Sequence, residues 1–146
     1  PGAESGGEDM TAIETELAQL RSEFDSLPDG FARYSYLVEL AALLPAPPEG
    51  LRQEQNLYRG CQSQVWLAVS AENGTVRLDA DSDTLLIRGV LCLYRDLLDG
   101  RAADEVLDAR FDLLQELPLT EHFSSRRTAG IAGLLGEIQR RLKNAL

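Results

Sequence analysis

The sequence predicts an α+β fold, a small antiparallel sheet of about three strands packed against several helices. Three observations carry that expectation. Apolar residues recur every three to four positions from Ile13 to Leu44 and again from Leu86 to Leu142, the spacing of helices with one buried face. From about Leu57 to Ala80 the pattern changes to β-branched and aromatic residues with two-residue alternation, the spacing of strands. Inside that stretch "AENG", residues 71–74, supplies Asn-Gly, a strong short-range hairpin signal.

The opening "PGAESGGEDM" has no periodicity and is expected to be a disordered segment or an artificial remnant at residues 1–10. Order is expected from Thr11, where "TAIE" has the form of a capping box, and one domain is expected over residues 11–146. Ile13, Leu17, Leu20 and Phe24 form the stripe of a first helix that stops before "LPDG". A second helix runs through "FARYSYLVELAALL", with Tyr34, Leu37, Val38, Ala41 and Leu44 on one face, and "PAPPEGL" ends it. Strands are expected at "NLYR", "SQVWLAVS" and "TVRLDA", with Gly60 and Cys61 at the bend between the first two. "DSD", residues 81–83, opens a third helix with Ser82 or Asp83 as cap, and Gly100 ends it. A short helix near "ADEVLDA" and an apolar turn "FDLLQELPL" lead to a last helix from about Thr128 to Lys143.

The chain has 146 residues, 44% hydrophobic and 26% charged, ordinary values for a globular protein. Its formal net charge of −10 disfavours nucleic acid or an anionic membrane surface as partner, because both repel acidic surfaces. No apolar run approaches the roughly 20 residues that span a bilayer, and nothing resembles a secretory signal. Two cysteines make no disulfide framework, so a cytoplasmic setting is expected.

Those two cysteines differ in context. Cys92 lies within the apolar pattern of "LLIRGVLCLYRDLL" and reads as a buried small hydrophobe. Cys61 lies in "YRGCQSQVWL", after a glycine and before amide and hydroxyl side chains. Gly60 frees the backbone beside it, Gln62, Ser63 and Gln64 offer hydrogen bonds to a thiolate, and Arg59 favours the reactive thiolate form. Residue chemistry alone leaves a reactive Cys61 and a structural Cys61 equally open. One histidine and two distant cysteines do not make a usual zinc site, and no glycine-rich phosphate loop is present. His122 is the one histidine that would serve Cys61 as a general base, though a lone histidine is more often structural.

The octapeptide "GCQSQVWL" resembles the signature of the SufE family of sulfur-acceptor proteins. "YLVELAALLP", "DADSDTLLIRGVL" and "LTEHFSSRRTAGI" resemble further segments of that family in the same order, so the resemblance covers nearly the whole chain from residue 11. The family's "SRS-x-G" element reads Arg126-Arg127-Thr128 here, keeping its central arginine as Arg127 and replacing its first serine by Arg126.

The resemblance implies a SufE/IscU-like fold and a carrier function. Cys61 would accept persulfide sulfur from a pyridoxal-phosphate-dependent, SufS-like cysteine desulfurase, stimulate it, and pass sulfur to a SufBCD-like iron–sulfur cluster scaffold. It implies a transpersulfidation partner rather than an independent enzyme, with no cofactor or metal of its own, and it is compatible with a homodimer. Gly60 would be the loop hinge, Gln62 and Ser63 the persulfide environment, and Arg127 a loop or partner contact. Tyr58 and Trp66 are candidate pocket walls, although Trp66 reads first as a core residue. Three alternatives remain: an IscU-like cluster scaffold, a cysteine-dependent enzyme using Cys61 with His122, and an interaction module with an inert cysteine.

Overall fold

A computed structural model describes residues 10–146, so of the expectation for residues 1–10 all but Met10 lies outside the described residues. The first helix, α1 (Ala12–Asp25), opens on the expected capping box: Thr11 accepts from the Glu14 N–H and the Glu14 carboxylate accepts from the Thr11 N–H. Its buried stripe is Ile13, Leu17, Leu20 and Phe24. Asp29 caps α2 (Gly30–Leu43), which stops ahead of the proline-rich stretch.

The hairpin follows. Strands β1 (Val65–Glu72) and β2 (Thr75–Ser82) pair antiparallel from Val65 opposite Ser82 to Glu72 opposite Thr75. Asn73 (φ 55°) and Gly74 (φ 79°) make the two-residue turn, both in the left-handed region that Asn-Gly favours. Val65, Leu67, Val76, Leu78 and Ala80 enter the core from one face.

The sheet has two strands rather than about three. The segment around "NLYR" keeps only a single antiparallel bridge, Leu57 to Trp66, with the Tyr58 N–H donating to the Val65 carbonyl (2.7 Å). The C-terminal helix takes the place of a longer ladder there. Its Arg141 guanidinium donates to the carbonyls of Asn56 (3.0 Å), Leu57 (3.0 Å) and Leu67 (2.8 Å). Carbonyls held by a guanidinium are satisfied without a neighbouring strand.

Trp66 is buried, on the sheet face opposite the main core. The Arg52 guanidinium covers its ring, 4.6 Å from the ring centroid, and pairs with buried Asp81 (2.8 Å).

Helix α3 (Leu85–Leu98) is the centre of the molecule, with nine buried residues spread around its circumference. Gly89 allows it to cross α2 closely, since a Cβ there would collide with the Leu37 carbonyl. Gly100 (φ 82°) terminates it as the pattern predicts. Two short helices, α4 (Ala103–Asp108) and α5 (Leu113–Glu116), lead to the C-terminal pair.

The last helix differs from the expected continuous one. It begins at Ser125 and divides at Gly133 into α6 (Ser125–Ala132) and α7 (Leu134–Ala145). At the break the Gly133 N–H is shared among the carbonyls of Ala129, Gly130 and Ile131, and two tyrosines add donors to it. Tyr58 donates to the Gly130 carbonyl (2.8 Å) and buried Tyr94 to the Ile131 carbonyl (3.1 Å). No helix among the described residues is long and apolar enough to cross a membrane.

Candidate functional site: the cysteine loop on the C-terminal helices

Cys61 stands at the tip of the loop that leads into β1, and both legs of that loop are fixed. The N-terminal leg is held by the Leu57–Trp66 bridge and by Arg141. The C-terminal leg is pinned to the end of β2. Ser82 Oγ donates to the Gln64 carbonyl (2.7 Å), and the Gln64 N–H donates to Asp83 Oδ1 (3.2 Å). Thr84 Oγ1 donates to Oγ of buried Ser63 (2.9 Å).

Ser82 and Asp83 therefore belong to the loop's anchorage. The expected helix cap is corrected: Ser82 lies in β2, and the N-cap position of α3 is Thr84, which makes no side-chain cap. Ser82 Oγ does accept from the Thr84 N–H (3.2 Å). The Asp-Ser-Asp segment and the cysteine loop, remote in sequence, form one hydrogen-bonded unit.

Between the legs, residues 59–62 have no backbone hydrogen bond to another element among the described residues. The tip rests instead on α6. A Cβ at Gly130 would stand 2.8 Å from the Gly60 carbonyl oxygen, 3.0 Å from Cys61 Cα and 3.2 Å from Cys61 Sγ, so glycine is what lets the loop lie on the helix. Tyr58 folds back over the tip, its ring occupying the space a Cβ on Gly60 would need and its hydroxyl the space beside Gly133. Gly60 is not among the positive-φ glycines, so its demonstrated role here is close approach rather than an unusual backbone angle.

Burial raises the Tyr58 hydroxyl above the ordinary tyrosine value, with the Cys61 charge and Glu137 adding to it, so it stays a protonated donor at neutral pH. Cys61 is free and half-buried, packed against the edge of the core. Cys92 is free and buried; burial first, then Asp96, pushes its thiol up to about 11.

The remaining expected residues divide. Gln62 is exposed beside Cys61, and Arg59 points outward to Glu54 (2.9 Å). Arg127 lies one turn before Gly130 on α6, hence on the same helix face. It is half-buried, and its guanidinium makes no ion pair or hydrogen bond among the described residues. Arg126 is exposed.

His122 has different surroundings from Cys61. It packs edge-on to Tyr34 of α2 (5.9 Å between centroids), with Nε2 3.6 Å from Glu121. Among the described residues no three His, Cys, Asp or Glu side chains stand together as a metal-ligand group.

Sequence reasoning missed Gly130, Gly133 and Arg141. The glycine that closes "RRTAG" was a signal for Gly130. Arg141 gave none, since it reads as an ordinary basic helix end.

An α+β protein with a free cysteine on a loop braced by its last two helices is the class that fold and site define. A family model described as "SufE: Fe-S metabolism associated domain" matches residues 18–142, and the chain belongs to that SufE family, which is associated with iron–sulfur metabolism. It is 33% identical over 131 residues to an uncharacterized SufE-like protein of Rhizobium meliloti strain 1021, covering 86% of this chain and 93% of that protein. It is 33% identical over 133 residues to an uncharacterized SufE-like protein of Rhizobium etli, covering 87% and 89% respectively. Among solved structures it is similar to the solution structure of a hypothetical protein from Thermus thermophilus, with TM-score 0.74, 28% identity, and coverage of 89% of this chain and 95% of that one.

Proposed function

We propose that the protein is a sulfur carrier, taking persulfide sulfur onto Cys61 from a pyridoxal-phosphate-dependent, SufS-like cysteine desulfurase. The observation that carries the reading is Cys61 itself, a free, half-buried thiol at a loop tip without backbone hydrogen bonds to other elements among the described residues. The Cys61 thiolate attacks the outer sulfur of the donor persulfide. A new S–S bond forms on Cys61, the donor S–S bond breaks, and its electron pair leaves on the donor cysteine as thiolate. Removal of the product sulfur stimulates the desulfurase. Cys61 then passes the outer sulfur to a SufBCD-like scaffold, in a cytoplasmic setting where free thiols persist.

Gly60 and Ser63 shape the tip and its leg, Gln62 offers an amide to the persulfide, and Arg127 faces the loop or the docked partner. The domain carrying this activity spans residues 11–146.

Incubating the protein with a desulfurase and cysteine, then measuring peptide masses, tests the reading. The Cys61 peptide should gain the mass of one sulfur atom, reversibly on reduction. A folded protein whose Cys61 peptide never gains sulfur would rule the carrier function out.

A further inference from the structure

We propose that Tyr58 is the latch of the cysteine loop, its hydroxyl bond to the Gly130 carbonyl holding the tip on α6 with Cys61 sheltered. The loop's legs are tied at Leu57 and Tyr58 on one side and at Ser63 and Gln64 on the other, whereas residues 59–62 have no backbone bond to another element among the described residues. What keeps the tip down is contact with Gly130 and the Tyr58 side chain folded across Gly60. Of these interactions, the 2.8 Å bond from the Tyr58 hydroxyl is the directional one.

Its geometry suits a releasable fastening. The acceptor is a carbonyl at the α6–α7 break that also takes the Gly133 N–H (3.2 Å), so it keeps a backbone partner when the tyrosine leaves. Gly60, Gly130 and Gly133 leave the space that tip and ring occupy. Lifting Tyr58 breaks one neutral hydrogen bond, uncovers Gly60 and frees the tip, while both legs stay anchored.

The consequence for sulfur handling rests on the carrier reading of Cys61. A small thiolate attacking the outer sulfur of a Cys61 persulfide would take that sulfur and leave the Cys61 thiolate. A closed latch slows that loss, and a partner that displaces Tyr58 opens the route to itself.

Tyr58→Phe keeps the ring and removes the hydroxyl. The test compares wild type and variant, without any partner, by the rate at which iodoacetamide alkylates Cys61, with Cys92 followed in the same digest. Cys61 of the variant should react about two- to tenfold faster, the range one neutral hydrogen bond sets, while Cys92 stays unmodified in both. Equal Cys61 rates, or an acceleration shared by Cys92 and so due to general opening, would overturn the latch. No desulfurase takes part, so the outcomes separate. Wild-type protein that fails the desulfurase assay loses the carrier function with the latch intact, and equal alkylation rates remove the latch alone.

Discussion

At the scale of single residues, the two cysteines are separated by their surroundings rather than by their chemistry. Cys92 is walled in on α3 with its thiol pushed up to about 11, so at neutral pH it offers almost no thiolate to react. Cys61 is half-buried at the loop tip, with part of its surface open to solvent. Cys61→Ser should therefore abolish sulfur acceptance in the desulfurase assay, and Cys92→Ala should retain it with only a loss of packing. Acceptance lost in a folded Cys92→Ala protein would show that the wrong thiol had been assigned. Arg127 is the second residue to test, because its guanidinium is unengaged among the described residues and lies on the helix face of Gly130. Arg127→Ala should slow sulfur transfer while shifting the melting temperature little, as expected of a side chain with no partner among the described residues. A lowered melting temperature with wild-type transfer kinetics would make Arg127 a structural residue.

At the scale of elements, α6 and α7 form the platform on which the loop is built, and their glycines are not interchangeable. Gly136 has nothing within reach of an added Cβ, so Gly136→Ala should stabilise the protein by up to about 1 kcal/mol through helix propensity. Gly130→Ala offers the same helical gain but drives a methyl group into the Gly60 carbonyl and Cys61. It should be net destabilising or should expose Cys61 to alkylation; urea unfolding of the two variants, with alkylation rates, checks the contrast. The platform also has a pH signature. Hydrogen bonds from Arg140 and Arg141 lower Glu137 below the ordinary glutamate value. A carboxylate depressed in the folded state stabilises above its unfolded value, about 4.3, and loses that contribution as pH falls through the folded value. The stability difference between wild type and Glu137→Gln should therefore be largest above about pH 4.3 and shrink on acidification. A difference constant down to strongly acidic pH would contradict the ion-paired role.

At the scale of the whole molecule, stability and reactivity occupy different places. Helix α3, buried around most of its circumference and packed on α1, α2 and β2, is the part that opens only with the whole fold. The tip at 59–62, held by side-chain contacts, is at the opposite end of that range. Native-state hydrogen exchange should find the slowest amides in α3 and the fastest loop amides at 60–62. The Tyr58 amide, bonded to Val65, should exchange more slowly than those of the tip. Protection at the tip comparable with that of α3 would contradict a loop free to lift.

Much of this architecture is legible along the chain because its causes are local. The Thr11–Glu14 capping box, the Asn73-Gly74 turn, the Gly100 stop and the stripes of α1 and α7 each depend on residues within a few positions of one another. Backbone geometry and side-chain spacing act over that range, so a sequence determines them by itself. The octapeptide around Cys61 likewise marks the loop and its family. What only the tertiary structure decided is how distant segments satisfy one another. Arg141 reaches Asn56 across 85 positions and stands in for a third strand, and Tyr58 reaches Gly130 across 72 and caps the break that divides the last helix. Ser82 and Asp83, which read as helix caps, turn instead to the backbone of Gln64. In each case a buried or half-buried carbonyl or N–H must find a partner, and several nearby donors and acceptors would serve. Packing chooses among them, and that choice is absent from the spacing of residues along the chain.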